Sequence, residues 1–106
     1  MSKLLTTTET STGRTVTVVF TGTLDISTID QALAELAEAR AEAPELVIDL
    51  RQVDFIDSSG LSVIAQTAQQ AAETGFTLSV VPNAQARRLM EMTGIASYVR
   101  IEDRDA

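Results

Sequence analysis

Residues 46–61 read Leu-Val-Ile-Asp-Leu-Arg-Gln-Val-Asp-Phe-Ile-Asp-Ser-Ser-Gly-Leu, and they restrict the chain to few folds. Leu46 to Leu50 is almost continuously apolar, the pattern of a central strand covered on both sides. A polar turn leads from it to Asp57-Ser58-Ser59-Gly60. Helical spacing then begins, with Leu61, Ile64, Ala65, Ala68 and Ala72 on one face. A buried strand that turns directly into a helix belongs to an α/β layer structure with parallel pairing. The turn also puts two hydroxyls at a helix N-terminus. Free backbone N–H groups and the positive end of the helix dipole make that a favourable place for a phosphate.

The rest of the chain fits the same class. Lys3–Thr10 and Thr15–Thr21 have strand character, with Val16, Val18 and Phe20 on one face. Ser11-Thr12-Gly13 between them is a turn, so the pair predicts an antiparallel hairpin. Gly22-Thr23-Leu24-Asp25 reads as a loop. A helix is then predicted from Ile26, Ile29, Leu33 and Leu36, opened by a Ser27/Asp30 capping box and ended by Ala43-Pro44. Gly75 is the expected C-cap of the second helix, and 76–81 alternates as a strand. Pro82-Asn83 opens a third helix, with Ala86, Leu89, Met90 and Thr93 facing inward and Gly94-Ile95 as its exit. A short strand is expected within 97–101, and the polar residues 102–106 are expected to fray. The predicted order is β-β-α-β-α-β-α-β in one domain, 1–106, with a mixed sheet of four to five strands.

The composition narrows the function. A chain of 106 residues, 44% hydrophobic, holds one core, and no apolar run approaches the roughly 20 residues that cross a bilayer. The N-terminus lacks the apolar stretch of a secretory signal, so a cytoplasmic protein is expected. A net charge of −7 would repel bare nucleic acid and anionic membranes, and would draw in a protein with a basic patch. Cys and His are both absent. That removes disulfides, thiol nucleophiles, Cys/His zinc sites and any Ser-His-Asp triad. With no Trp and Tyr98 the sole Tyr, there is no stacking platform for single-stranded nucleic acid. The question therefore becomes what is done to the serines at 58 and 59, not what they do. No enzyme activity, metal or cofactor is expected.

Asp57 can cap the helix, which would put Ser58 and Ser59 in its first turn. Gly60 in that turn costs about 1 kcal/mol of helix propensity against Ala. It would leave an open surface beside the serines, where another backbone can approach. An ordinary cap with small polar residues explains the same tetrapeptide. Of the acidic residues Asp25, Asp49, Asp54 and Asp57, Asp25 follows one strand and Asp54 and Asp57 follow another. If those strands are neighbours, Asp25 and Asp57 emerge at the same edge and could form a magnesium or Asp-phosphate receiver pocket, although loop and cap carboxylates explain the same residues. A receiver also needs a Lys after its last strand, and the sole Lys is Lys3. Glycine-rich nucleotide loops are absent. Arg87 and Arg88 make a small basic spot that reads as a solvated helix face.

Three segments in order resemble the STAS domain, and within it the stand-alone anti-sigma factor antagonists. Asp49–Leu61 is similar to the family's strand followed by x-x-Phe-hydrophobic-Asp-Ser-Ser-Gly-Leu. Gly22-Thr23-Leu24-Asp25, with Thr28 after it, is similar to a Gly-Glu-Leu-Asp turn. Arg88–Ile95 is similar to the family's third helix and its Gly exit. The resemblance implies a sheet with helices mainly on one face, and a protein that switches partners. The unphosphorylated form would bind an ATP-binding anti-sigma factor that is also a serine/threonine kinase, freeing the sigma factor. Phosphorylation at Ser58, rather than Ser59, would end binding, and a metal-dependent serine phosphatase would reset it. Thr23, Asp25, Asp57, Ser58, Ser59, Gly60 and Leu61 would form the partner surface. Thr23 stands where the family often has Glu. A monomer is expected. The alternative within the family is a constitutive interaction subunit of a signalling scaffold or membrane transporter.

Overall fold

The computed structural model describes residues 3–11 and 13–104. Five strands lie in the order β1(Leu4–Ser11), β2(Thr15–Leu24), β3(Glu45–Ile56), β4(Thr77–Val81), β5(Arg100–Ile101). Three helices, α1(Ile29–Arg40), α2(Ser58–Thr74) and α3(Ala84–Thr93), make the crossovers, and a short 3-10 turn, Ile95–Ser97, precedes β5. β1 pairs antiparallel with β2, and every later pair is parallel. Each crossover advances one strand in the same direction. Right-handed connections therefore place all three helices on one face. Thr12, in the predicted hairpin turn, lies outside the described residues.

The core lies between that face and the helices. Val16, Val18 and Phe20 of β2 and Leu46, Ile48 and Leu50 of β3 are buried there, with Ala32, Leu36 and Ala39 of α1 and Ala86 and Met90 of α3 packed on them. Thr93, expected to face inward on α3, is exposed. On α2 the buried residues are Gly60, Leu61, Val63, Ile64 and Thr67, while Ala72, expected on this face, is exposed. The core accepts Thr67 because its hydroxyl donates to the Val63 carbonyl at 2.7 Å, so no polar atom is left unsatisfied.

Two boundaries differ from the sequence expectation, and one feature explains both. β3 does not end at Leu50, and Gly22-Thr23-Leu24 is not a loop: the two strands stay paired to Leu24↔Ile56. β3 uses 12 residues where β2 uses 10, and the register shifts twice, at Val19/Thr21 and Gly22/Thr23. Each shift is a bulge with one extra residue in β3. Inward positions therefore change from every second residue (Leu46, Ile48, Leu50) to every third (Val53, Ile56), all buried. A strict alternation test reads such a segment as a polar turn. Gly22 lies in this bulged region at φ 108, with the Lys3 carbonyl 2.4 Å from where a Cβ would stand.

Among the described residues the other sheet face carries no helix. Asp49 is buried on it, and the Arg51 side chain reaches back to make a two-pronged contact, Nε to Oδ1 at 3.1 Å and Nη2 to Oδ2 at 2.9 Å. Burial raises the Asp49 pKa. The hydrogen bonds from Arg51 and the positive charges of Arg51 and Arg104 outweigh it, and the carboxyl titrates below its ordinary value. Residues 102–104 are tied to the fold: the Glu102 N–H donates to the Val80 carbonyl at 2.9 Å, Arg87 pairs with Asp103, and Arg104 pairs with Glu102. Residues 105 and 106 lie outside the described residues.

Candidate functional site

The site forms where β2 and β3 end together. Because Leu24 pairs with Ile56, Asp25 and Asp57 leave adjacent strands, about 4.8 Å apart, at one edge of the sheet. Asp57 is the N-cap of α2, in extended conformation, and its Oδ1 accepts from the Gly60 N–H at 3.0 Å. Ser58 and Ser59 are thereby the first two residues of the helix. Their environments differ: Ser58 is exposed and Ser59 half-buried. Among the described residues, neither serine's N–H nor the Ser58 hydroxyl has a hydrogen-bond partner. An exposed hydroxyl beside two uncommitted N–H groups at a helix N-terminus suits an anionic group.

Gly60 has a different role from the expected one. A Cβ there would stand 2.1 Å from the Leu24 carbonyl oxygen, and the residue is buried. The backbone that approaches Gly60 is the chain's own. The expectation of an open surface beside the serines is corrected: the missing side chain lets the first turn of α2 dock on the end of β2. Leu61 is also buried, in the core. Gly60 and Leu61 fix where Ser58 stands relative to Asp25.

The loop after β2 is built around Thr28. Its buried hydroxyl donates to the Thr23 carbonyl at 2.9 Å and accepts from the Asp25 N–H at 3.0 Å. Asp25 Oδ1 accepts from both the N–H and the hydroxyl of Ser27, at 2.9 and 2.6 Å. Ser27 therefore serves Asp25 and not a capping box with Asp30, and α1 begins later, with Thr28 as its N-cap. Ile26, expected to be buried on that helix, is 71% exposed as a result. Phe55, which pairs with Thr23, is 46% exposed. Two large apolar side chains thus stand at the rim, and sequence reading assigned neither to it. The signal available for Phe55 was its place three residues before Ser58.

The acidic residues do not gather. Asp49 belongs to the helix-free face, and among the described residues no group of three or more His, Cys, Asp or Glu could hold a metal. Lys3 does not follow the last strand, as a receiver's Lys would, but it lies at this edge: β1 runs antiparallel, and the Lys3 carbonyl accepts from the Thr23 N–H at 2.8 Å. Arg87 is held by Asp103, and Arg88 is exposed on α3. Asn83 ties α3 to the bulged strand, accepting from the Ala86 N–H and donating to the Val53 carbonyl, both at 2.8 Å. Among the described residues no helix is long and apolar enough to cross a membrane.

Comparisons with known proteins agree with this fold. Residues 7–105 match the family model of the STAS domain. The chain is 31% identical over 91 residues to an anti-sigma F factor antagonist of Paenibacillus polymyxa, covering 83% of this chain and 78% of that one. The crystal structure of an anti-sigma factor antagonist from Mycobacterium paratuberculosis superposes with TM-score 0.86 at 27% identity, covering 96% and 87% of the two chains. The Bacillus cell fate determinant SpoIIAA in its phosphorylated form shares the fold, with TM-score 0.74 at 18% identity over 95% and 92%.

Proposed function

The chain belongs to the STAS domain family, and we propose that it is an anti-sigma factor antagonist, a regulatory binding protein with no catalytic role, switched off by phosphorylation at Ser58. The observation that carries this reading is the exposed Ser58 on the first turn of a capped helix, at the end of the sheet where Ile26 and Phe55 are also exposed. A kinase can reach it. A partner seated on the same edge covers it.

The partner in this reading is an ATP-binding anti-sigma factor that is also the serine kinase, and a metal-dependent phosphatase restores the binding form. Phosphorylation adds about −1.5 to −2 charges. The helix N-terminus compensates part of that charge, so the fold survives. The interface does not gain the same compensation. A hundredfold loss of affinity requires only about 2.7 kcal/mol, which a dianion buried against a partner readily supplies.

Incubation with the cognate kinase and ATP, followed by mapping of the modified residue, tests the site. Label on Ser58 is expected, and label on Ser59 with Ser58 untouched would sink the assignment. In a pull-down, Ser58→Asp should lose the partner while keeping the wild-type circular dichroism spectrum.

A further inference from the structure

We propose that β1 is a self-association edge, at which two copies of this chain join their sheets antiparallel about a two-fold axis at Thr6. β1 is a terminal strand of the sheet, and its eight residues include no Pro. The direction of its backbone groups follows from one bond. The Thr23 N–H donates to the Lys3 carbonyl, so Lys3 and Thr23 form a hydrogen-bonded pair. The β1–β2 register then runs without a break from Leu4↔Gly22 to Ser11↔Thr15. Hydrogen-bonded pairs alternate in antiparallel ladders. Odd residues of β1 therefore face β2, and Leu4, Thr6 and Thr8 present their N–H and C=O groups outward. Among the described residues one of these groups is engaged: the Leu4 carbonyl accepts from Gln31 Nε2 at 2.9 Å, which leaves that oxygen a second lone pair.

The side chains select a second copy as the occupant. Lys3 is the sole Lys of the chain, and Glu9 is the sole charged residue within β1. Both are exposed, and both lie three residues from Thr6, on the helix-free face with Leu5 and Thr7. A two-fold axis at Thr6 pairs Thr6 with Thr6, and Leu4 with Thr8, through the outward groups. It sets Lys3 opposite Glu9 of the other copy, twice, in the closer non-hydrogen-bonded positions where opposite charges attract. Leu5, 54% exposed in the single chain, then lies across from Thr7. Glu9 also lies in the field of Arg51 of its own chain, but Arg51 is bound to Asp49. The arrangement is self-complementary, as a two-fold interface must be.

Sedimentation of the full chain from micromolar to millimolar concentration should show a monomer–dimer equilibrium. Amide exchange at Thr6 and Thr8 should slow as concentration rises. Lys3→Glu and Glu9→Lys should each weaken the dimer by about tenfold, and the double variant, which restores both pairs with signs reversed, should regain wild-type association. Thermal melts of the single variants at low concentration should match wild type, since both residues are exposed. A monomer at every concentration, a dimer without protection at Thr6 and Thr8, or a double variant no better than the singles would overturn the proposal.

Discussion

Gly60→Ala sets two physical effects against each other with opposite signs. Replacing Gly by Ala inside a helix favours the helix by about 1 kcal/mol, so propensity alone predicts a more stable protein. The structure predicts the reverse. The new Cβ would stand 2.1 Å from the Leu24 carbonyl oxygen, 2.9 Å from its carbon and 3.0 Å from an Ile56 side-chain carbon. Non-bonded heavy atoms are comfortable near ~3.5 Å. The oxygen cannot simply swing aside, because Leu24 is held in the β2–β3 ladder opposite Ile56. Overpacking costs about 1–3 kcal/mol, and a clash with backbone belongs at the upper end. The net expectation is a loss of about 2 kcal/mol once the propensity gain of about 1 is subtracted. For a domain this size that lowers Tm by roughly 10 °C. Urea unfolding should show a lower midpoint with an unchanged slope. The same shift moves Ser58 away from Asp25, so binding of the anti-sigma partner should weaken too. A melting temperature equal to or above wild type would refute the close-approach argument.

Other perturbations probe the remaining parts. Thr28→Val keeps the shape but removes the buried hydroxyl that joins the Asp25 N–H to the Thr23 carbonyl, which should cost about 1–3 kcal/mol by denaturant titration; an unchanged midpoint would show that the loop does not depend on it. The Asp49 carboxyl titrates below its ordinary 3.8, so its stabilising effect is present above that pH and is lost as pH falls through the lower folded value. Asp49→Asn should therefore flatten the acid limb of the stability–pH curve, and an acid limb identical to wild type would contradict the Arg51 contact. Phe55→Ala together with Ile26→Ala should weaken partner binding at least fivefold, or about 1 kcal/mol, with stability nearly unchanged. Calorimetric titration beside a thermal melt separates the two effects.

The sequence was most informative where local rules act alone. Asp57, Asn83, Gly75 and Gly94 cap helices as their residue types dictate. The element order followed from strands alternating with helices. What it could not show depended on partners distant in the chain. The bulges that lengthen β3 exist only against β2. Lys3 reaches the site edge only because β1 is antiparallel. Gly60 looked like surface because its neighbour, Leu24, is 36 residues away in the numbering. The helix starting at Ile26 was a competition between two uses of Ser27, and the Asp25 carboxylate two residues back won it from Asp30. Ser58 and Ser59 are alike in sequence, and burial distinguishes them.

Under the proposed switch, the charges near Ser58 favour a local mechanism over an unfolding one. The carboxylates that could crowd a phosphate are already turned to donors: Asp57 Oδ1 takes the Gly60 N–H, and Asp25 Oδ1 takes both donors of Ser27. The N–H groups of Ser58 and Ser59 have no acceptor among the described residues, and a phosphate can take them. The free protein therefore loses little on modification. The complex loses more, because Ile26 and Phe55 offer apolar area at the same end of the sheet, and a partner that covers them together with Ser58 must strip that end of water. A dianion held at that edge keeps its hydration and denies the burial. The discrimination then lies in desolvation more than in long-range repulsion, so added salt should restore little of the affinity that phosphorylation removes. If affinity for the phosphorylated form recovers fully at high ionic strength, repulsion between charges is the mechanism and the apolar rim is incidental.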